Sequence, residues 1–346
     1  DAPAGLTRAG RLAVNRHHVD TGRMPNWPEM ERAVHPAPAS VDPETERAYF
    51  EAQGPVSSAL AETLAASDAD LALHKPYLFW TTAALASGRT IPTAIWPAAH
   101  DEPALRLPAV GAALASADGL VFGSDAARRL TEQIHPVAHK RQIVLGVGVE
   151  PHAGDAETAA RAVGIDDGRP WVLCVGRMEP GKGTDTLARL WAGYVAVHKP
   201  KHRLVLVGDR NIEIRSDDDL TVVGPVDEET KWGLLRGADV LVHPGRLESF
   251  GIVLVEAWAA RTPVLVNARC APTSDQVRLS GGGATFSDPT SFELALDRML
   301  NDPGLRHAMA ADGEAHWQRN YTWDRVCGRF MDFCERVVRF APRART

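Results

Sequence analysis

The sequence predicts an α/β protein of two domains, each built around a parallel β-sheet. Short apolar blocks alternate with helical stretches along most of the chain. The blocks lack a polar–apolar alternation, which indicates strands with both faces covered, as in parallel sheets. The length of 346 residues also suits two domains better than one. We therefore place the domains at residues 1–150 and 151–322, followed by a helical segment at 323–346.

The first half shows this alternation less regularly than the second. Residues 1–45 are rich in proline, histidine and charge, and they contain one predicted strand, Leu12–Asn15. Residues 46–66 predict a single helix, in which Leu60 and Leu64 share a face. The elements that follow are strand Leu71–Leu73, helix Tyr77–Ala86, strand Thr93–Trp96, helix Leu105–Ala117, strand Gly119–Phe122, helix Asp125–Gln133 and strand Gln142–Val144.

The second half has a clearer pattern. Residues 151–168 are polar and predict a linker with a short helix. The predicted strands are Trp171–Val175, Arg203–Val207, Leu220–Val223, Val240–His243 and Val264–Val266. The predicted helices are 184–198, Asp227–Arg236, Ile252–Ala260, Ser291–Leu300 and Trp323–Arg339. This order indicates a doubly wound domain, which binds its ligand beyond the carboxyl ends of its strands.

Composition narrows the class of protein. The net charge of −6 gives no basic field for binding nucleic acid. Four cysteines, none in a CxxC pair, predict buried free thiols in a reducing compartment and no zinc site; they are Cys174, Cys270, Cys327 and Cys334. No apolar run approaches the length of a membrane span. The first residue is Asp1 rather than Met, so we expect an N-terminus that is processed, trimmed or not included.

The first motif lies between a predicted strand and a predicted helix, at residues 176–183. Glycines there let the backbone approach a ligand closely, and the helix start offers free N–H groups to an anion. Arg177 adds a planar fork and Lys182 a point charge, so together they could neutralise a diphosphate without a metal. A charged, solvated loop is one alternative. A P-loop is another, but Gly183 stands where its magnesium-binding Ser or Thr belongs.

The second motif contains two carboxylates eight positions apart, Glu248 and Glu256. Glu248 is expected at the mouth of the following helix, near a ligand, where Gly251 permits a tight turn. Glu256 lies deeper along the helix and could accept two hydroxyl hydrogen bonds, as a ribose offers. Neither has a basic partner at i+4, which argues against simple surface ion pairs. Two solvated helix carboxylates are the alternative interpretation.

Taken together, the two motifs resemble the retaining glycosyltransferases of GT-B architecture, in particular glycosyltransferase family 4. The resemblance covers about residues 71–340 and is strongest over 169–300. It implies that Arg177 and Lys182 bind the donor diphosphate, that Glu248 contacts the donor sugar, and that Glu256 holds the ribose. It also implies that the backbone amides of residues 249–252, Ser249, Phe250, Gly251 and Ile252, lie against the phosphates and sugar.

A third feature, residues 99–103, follows the strand Thr93–Trp96. In similar enzymes a histidine in this loop reaches the donor sugar and acceptor, so the resemblance implies a catalytic role for His100. Asp101 and Glu102 are interpreted as helix-capping acids.

Three lesser features have ordinary alternatives. Lys75 and Tyr77 could line the acceptor pocket, or Tyr77 could be a core-edge aromatic. Gly281–Gly283 predicts a flexible turn. Arginines at 336, 339, 343 and 345 could contact an anionic membrane peripherally or end a solvated helix.

The resulting prediction is an α/β fold with two Rossmann-like domains facing a cleft, the final helix crossing back to the first domain. Residues 1–45 contain neither the apolar first strand nor the glycine-rich loop of the family, so the N-terminal domain is expected to lack its first strand. The predicted reaction is retaining, metal-independent transfer of a sugar from a nucleotide diphosphate sugar to a hydroxyl acceptor (glycan, glycolipid or small molecule). No cofactor, metal or nucleic-acid partner is expected, and the predicted location is cytoplasmic, with the inner face of the membrane as a variant. The alternatives are a GT-B nucleotide-sugar epimerase, a non-catalytic sugar-nucleotide-binding subunit and, least favoured, a P-loop NTPase.

Overall fold

The computed structural model describes residues 4–86 and 91–341, which fold into two compact units. Residues up to Leu145, together with those from Arg329, form the first unit, and Gly146–Gly328 form the second. Each unit has its own parallel sheet and its own apolar core. The predicted α/β fold with parallel sheets is therefore confirmed.

The first unit combines an antiparallel hairpin, short helices and a parallel sheet. The hairpin pairs β1 (Gly5–Ala9) with β2 (Leu12–Arg16). The helices are α1 (Trp27–Val34), α2 (Pro43–Gln53), α3 (Ser58–Ala65), α4 (Trp80–Ala83), α5 (Pro108–Ser116) and α6 (Asp125–Ile134), with 3₁₀ turns at Pro38–Ser40 and Pro103–Arg106. The sheet contains β3 (Ala72–His74), β4 (Thr93–Ile95), β5 (Gly119–Phe122) and β6 (Arg141–Val144). Its strands lie side by side in chain order, all parallel.

The second unit is a six-stranded parallel sheet with helices on both faces. Its strands are β7 (Trp171–Val175), β8 (Arg203–Val207), β9 (Leu220–Val223), β10 (Ala238–His243), β11 (Val264–Asn267) and β12 (Gly283–Phe286). Its helices are α7 (Ala156–Ala162), α8 (Thr184–His198), α9 (Glu228–Gly237), α10 (Ile252–Ala259), α11 (Ala271–Ser280), α12 (Pro289–Asn301) and α13 (Pro303–Asn320). The order across the sheet is β12-β11-β10-β7-β8-β9, so the direction of winding reverses between β7 and β10.

The last helix, α14 (Trp323–Phe340), begins in the second unit and ends in the first. In the first unit Phe333 and Val337 pack over Gly119, the first residue of β5. A Cβ at Gly119 would lie 2.6 Å from a methyl carbon of Val337, so the absence of a side chain there lets the helix approach the strand.

Several predicted helices of the first unit are wrong in extent. The single helix expected over 46–66 is two helices, α2 and α3, because Gly54 adopts φ +59° and Pro55 follows it. The helix expected over Tyr77–Ala86 shrinks to α4. Pro108 disfavours a helical Leu107, so the helix expected from Leu105 begins only at Pro108. In the N-terminal segment, the predicted strand gains a partner, β1, and α1 was not predicted.

Two helices of the second unit were not predicted, α11 and α13. The glycines expected to form a flexible turn have separate roles instead. Gly281 ends α11 in the left-handed conformation, at φ +71°, while Gly283 begins β12. The five strands predicted for this half are all present. Four of them are apolar blocks buried on both faces, and β9, at the edge of the sheet, is buried on one face and partly exposed on the other.

Candidate functional site

The winding reversal between β7 and β10 coincides with a cavity in the second unit. Connections from β7 and β10 leave the sheet on opposite sides, which opens a crevice at the carboxyl ends of these strands. A cavity of about 240 Å³ lies there. Its wall is formed by Cys174, Val175, Gly176, Arg177, Lys182, Thr184, His243, Pro244, Glu248, Gly251, Ile252 and Val253. Most of these residues belong to the two motifs that the sequence singles out, and the others flank those motifs.

The β7–α8 loop needs glycine at its two ends. Gly176 has φ +147°, and the neighbouring strand end, Gly208, has φ +141°. A Cβ at Gly208 would lie 2.2 Å from the carbonyl oxygen of Gly176, so the two strand ends meet backbone to backbone. Gly183 caps α8 at φ +69°, and a Cβ there would lie 3.0 Å from the carbonyl oxygen of Pro244, which follows β10. The first turn of α8 is thereby held against the cavity, with its N–H groups available to an anion.

The β10–α10 loop brings a second helix start to the same cavity. Gly251 caps α10 at φ +83°, with no side-chain cap for its first N–H groups. The loop is held from behind by buried Gln276, whose Nε2 donates to the carbonyl of Phe250. Phe250 is itself buried and packs edge-on against Tyr321, with ring centroids 5.3 Å apart. The N-termini of α8 and α10 and the side chain of Lys182 thus lie at the same cavity.

A partly buried ion pair joins the two motifs. Nζ of Lys182 lies 2.9 Å from Oε2 of Glu248, and Nε2 of His243 lies 3.6 Å from the same oxygen. Burial alone would raise the pKa of Glu248, but the contact with His243 and the charge and hydrogen bond of Lys182 outweigh it and lower the pKa to about 2. Glu248 is therefore ionised across the neutral range and acts as a hydrogen-bond acceptor.

Two polar atoms in the cavity wall are buried without a hydrogen-bond partner among the residues that the structure describes. They are Oγ1 of Thr184 and Nδ1 of His243. A buried polar atom without a partner is unfavourable, so a polar ligand in the cavity would gain from bonding to either. Sequence reasoning missed both residues. The signal for His243 is a polar residue directly after the apolar run at residues 240–242.

The remaining predicted donor-site residues are placed unevenly. Arg177 borders the cavity with its side chain 59% exposed, 3.3 Å from Glu179. Gly251 and Ile252 are in the cavity wall, whereas Ser249, Phe250 and Glu256 are not.

Both acids nevertheless have basic partners, neither of them at i+4. Glu248 pairs with Lys182, and Oε1 of Glu256, in the second turn of α10, lies 2.9 Å from Nζ of Lys231. Lys231 also bonds Glu228, at 2.8 Å, and it comes from α9, far from Glu256 in sequence. Both basic partners approach from other elements of the fold, so no local rule of spacing along α10 could predict them.

In the first unit, His100 lies in the loop after β4, in contact with Glu102. Nδ1 of His100 is 3.7 Å from Oε1 of Glu102. The interpretation of Asp101 and Glu102 as capping acids is wrong: Glu102 precedes a 3₁₀ turn without capping it, and Asp101 pairs with Arg106 at 2.7 Å. Tyr77 is a core residue, 2% exposed, and Lys75 lies over the ring of Trp96 at 4.2 Å.

The sequence also singled out four cysteines and four arginines near the end of the chain. Cys174 and Cys270 are buried free thiols, and burial raises the pKa of Cys174 to about 12. Cys327 is exposed and Cys334 half-buried, against the expectation of four buried thiols. Of the four tail arginines, Arg336 and Arg339 lie on α14, while Arg343 and Arg345 lie outside the described residues.

The described residues contain neither a group of metal-ligating side chains nor a membrane-spanning helix. Across 4–86 and 91–341, no three His, Cys, Asp or Glu side chains group as metal ligands would. None of the helices in those ranges is both long and apolar enough to span a bilayer.

Comparison with known proteins gives the fold a name. The α,α-trehalose-phosphate synthase (UDP-forming) from Burkholderia vietnamiensis superposes with a TM-score of 0.74 at 15% identity, over 99% of this chain and 89% of that one. The Anabaena protein HepE, solved in complex with UDP and glucose, superposes with a TM-score of 0.65 at 17% identity, over 80% of each chain. The chain has the GT-B fold, with two Rossmann-like units, as predicted.

Sequence comparison addresses the second unit most directly. Residues 155–316 match the family model described as glycosyl transferases group 1. The D-inositol 3-phosphate glycosyltransferase of Acidothermus cellulolyticus is 31% identical over 245 residues, 64% of this chain and 54% of that protein. A GDP-mannose-dependent monoacylated alpha-(1-6)-phosphatidylinositol monomannoside mannosyltransferase of Corynebacterium glutamicum is 26% identical over 184 residues, 49% of this chain and 48% of that protein. The chain spans about half the length of the curated relatives it matches.

Proposed function

We propose that this chain acts in glycosyl transfer, moving a sugar from a nucleoside diphosphate sugar to a hydroxyl group. The observation that carries the proposal is the cavity at the winding reversal, where Lys182 and the first turns of α8 and α10 converge. A diphosphate is the ligand that such a set of N–H groups and cations favours. GDP-mannose in the name of one relative, and UDP in the HepE structure, support the same class of donor.

The contacts of the individual residues support the roles proposed for them. Lys182 and Arg177 neutralise the diphosphate, and the developing charge on the leaving phosphate is stabilised by the same preorganised groups. Glu248 accepts a hydroxyl of the donor sugar, since its low pKa keeps it ionised. Glu256 accepts the ribose hydroxyls, with Lys231 on Oε1 orienting its carboxylate.

The stereochemistry and metal requirement form the finer part of the proposal. We expect retention at the anomeric carbon by a front-face route, in which the leaving phosphate accepts the proton of the attacking hydroxyl. Charge neutralisation by Lys182, Arg177 and two helix N-termini supports a reaction that proceeds without a divalent metal. His100 is assigned to the donor sugar on the resemblance described above.

The test is turnover of a panel of nucleotide sugars, UDP-glucose, GDP-mannose, ADP-glucose and dTDP-glucose, each with EDTA or with magnesium. Acceptors include D-inositol 3-phosphate, the compound named for one relative. We expect acceptor-dependent release of one nucleoside diphosphate in EDTA, with the anomeric coupling constant of the glycoside unchanged from the donor. Lys182→Ala abolishes the release, while Lys201→Ala, an exposed lysine before β8, leaves it intact.

Each rival predicts another product. A free epimerised sugar with no glycoside would indicate an epimerase, and hydrolysis of ATP or GTP only with magnesium would indicate a P-loop enzyme. Donor binding without turnover on any acceptor would indicate a non-catalytic subunit. Any of these three results contradicts the proposed transfer.

A further inference from the structure

Glu102 contacts His100, and Tyr77 contacts Glu102. Neither Glu102 nor Tyr77 has a role in the reaction proposed above. Tyr77 follows β3 and is 2% exposed, and its hydroxyl donates a hydrogen bond to Oε1 of Glu102. Glu102 follows β4 in the same loop as His100, whose Nδ1 faces the same oxygen at 3.7 Å. One carboxylate oxygen therefore lies between a buried phenol and the imidazole.

The loop itself is braced. The backbone N–H of Glu102 donates to the carbonyl of His100 at 2.9 Å. Arg106 donates to the backbone carbonyl of Glu102 at 3.0 Å and pairs with Asp101 at 2.7 Å. The side chain of Glu102 is left to Tyr77 and His100, because Arg106 is taken by Asp101 and by a backbone oxygen. The wider surroundings contain two more titratable groups, Tyr49 and His35.

We propose that Glu102, held by Tyr77, is a positioning residue that fixes the ring of His100 with Nδ1–H toward the carboxylate. This inference rests on the proposed function, because that function gives His100 its ligand. Which nitrogen of a neutral histidine carries the proton is set by the hydrogen bond that the other nitrogen makes. An ionised carboxylate can only accept, so Nδ1 must donate to it.

The ionisation of Glu102 supports this assignment. Burial would raise the pKa of Glu102, but the contact with His100, the hydrogen bond from Tyr77 and the nearby imidazole of His35 lower it below its ordinary value. The same carboxylate and burial raise the pKa of Tyr77, which therefore stays protonated and donates. The separation of 3.7 Å is longer than a hydrogen bond, so the proposed contact requires the half-buried ring to lie closer to the carboxylate than it does here.

The consequence is a choice of ligand group. With Nδ1 protonated, Nε2 of His100 carries a lone pair, and it has no hydrogen-bond partner within the described ranges. It is therefore an acceptor. A sugar hydroxyl can donate to this lone pair, whereas an ionised phosphate or carboxylate oxygen cannot. The Tyr77–Glu102 pair thus selects a neutral, hydroxyl-bearing group at His100.

The experiment reads the tautomer directly by long-range ¹H–¹⁵N NMR of the histidine rings at pH 9, an alkaline pH at which free histidine is neutral. The chain has 13 histidines, so His100 is assigned by the resonances that disappear in His100→Gln. We expect the Nδ1–H form to dominate in the wild type. In Glu102→Gln the Nε2–H form, which free histidine prefers, rises to at least half. Asp101→Asn, the adjacent acid, leaves the ratio unchanged.

Tyr77→Phe provides a second variant in case Glu102→Gln fails to fold, which circular dichroism reports. We expect it to raise the Nε2–H fraction as well, since the carboxylate loses its anchor. A wild-type ring in the Nε2–H form, or variants at Glu102 and Tyr77 that keep the wild-type ratio, overturns the inference. The experiment contains no nucleotide sugar, so its failure is distinguishable from failure of the proposed transfer.

Discussion

The two parallel sheets of this chain differ in how they are wound. In the first unit, β3 to β6 lie side by side in chain order, whereas in the second unit the order reverses between β7 and β10. The reversal is where the cavity lies and where Lys182 and Glu248 form a partly buried ion pair. At the carboxyl ends of β3 and β4, the polar groups Tyr77 and Glu102 instead satisfy each other.

The difference shows what a winding reversal contributes. Loops that leave in opposite directions cannot cover the strand ends between them, so a crevice remains. Close backbone contacts and left-handed residues at 176, 183, 208 and 251 then shape that crevice, and helix N-termini supply partial positive charge. The following variants test this account, from the largest expected effect to the smallest.

Gly208→Ala tests the backbone contact beside the cavity. Its φ of +141° disfavours a side chain, and the new Cβ would lie 2.2 Å from the carbonyl of Gly176. We expect the free energy of unfolding to fall by about 3 kcal/mol in urea titrations. Gly193→Ala is the matched control, because nothing lies within 4 Å of its Cβ on α8. That control should gain about 0.5–1 kcal/mol. Equal effects of the two substitutions would contradict the account.

The pH dependence of stability tests the ion pair between Glu248 and Lys182. Glu248 has a pKa of about 2 in the folded chain, against an ordinary value of 4.5. The folded state therefore favours the ionised form, and this stabilisation is complete above pH 4.5 and lost as the pH falls toward 2. We expect Glu248 to contribute about 2–3 kcal/mol at neutral pH.

The measurement is the difference in unfolding free energy between wild type and Glu248→Gln at several pH values. It should shrink as the pH falls from 5 to 2. Glu229→Gln, an exposed carboxylate on α9, serves as the control and should show little such change. A difference between wild type and Glu248→Gln that stays constant with pH would show that Glu248 is not held as an ion pair.

Glu256→Gln separates the nucleoside from the diphosphate. If Glu256 accepts the ribose hydroxyls, the neutral amide should weaken binding of the preferred nucleoside diphosphate by about tenfold. Pyrophosphate lacks a ribose, so its affinity should not change. Calorimetric titration measures both affinities. An equal loss of affinity for both ligands would contradict the assignment of Glu256 to the ribose.

Asp101→Asn should have the smallest effect. The ion pair with Arg106 is exposed, with side chains 66% and 38% accessible. Exposed pairs contribute little, so we expect a change in unfolding free energy within about 0.5 kcal/mol. A larger loss in a denaturant titration would mean that the loop of His100 depends on this pair rather than on Tyr77 and Glu102.

Much of the second unit could be predicted from its sequence, because five of its six strands are apolar blocks that end at, or are followed by, a glycine or a polar residue. The missed elements lack that signal. Helix α13 contains two glycines, Gly304 and Gly313, and its apolar residues do not share a single face. Gly313 leaves room for the ring of Trp258. In the first unit the helices are short and interrupted by prolines. Their apolar periodicity was therefore too brief to define where each helix begins and ends.

The candidate site shows the same limit. The motifs predicted Arg177, Lys182 and Glu248 because loop glycines and charges are adjacent in sequence. Their pairing was not predictable, since Lys182 and Glu248 are 66 positions apart. Glu102 was misread as a cap for the same reason: its partner, Tyr77, follows another strand, 25 positions earlier.

The central claim is that the cavity at the winding reversal binds a nucleoside diphosphate through Lys182. Isothermal titration with UDP, GDP, ADP and dTDP in EDTA, for the wild type, Lys182→Ala and Lys201→Ala, tests it most directly. We expect one diphosphate to bind the wild type and Lys201→Ala alike, and Lys182→Ala to weaken it at least a hundredfold, about 2.7 kcal/mol. Binding unchanged in Lys182→Ala, or no diphosphate bound while a triphosphate binds with magnesium, would contradict the claim.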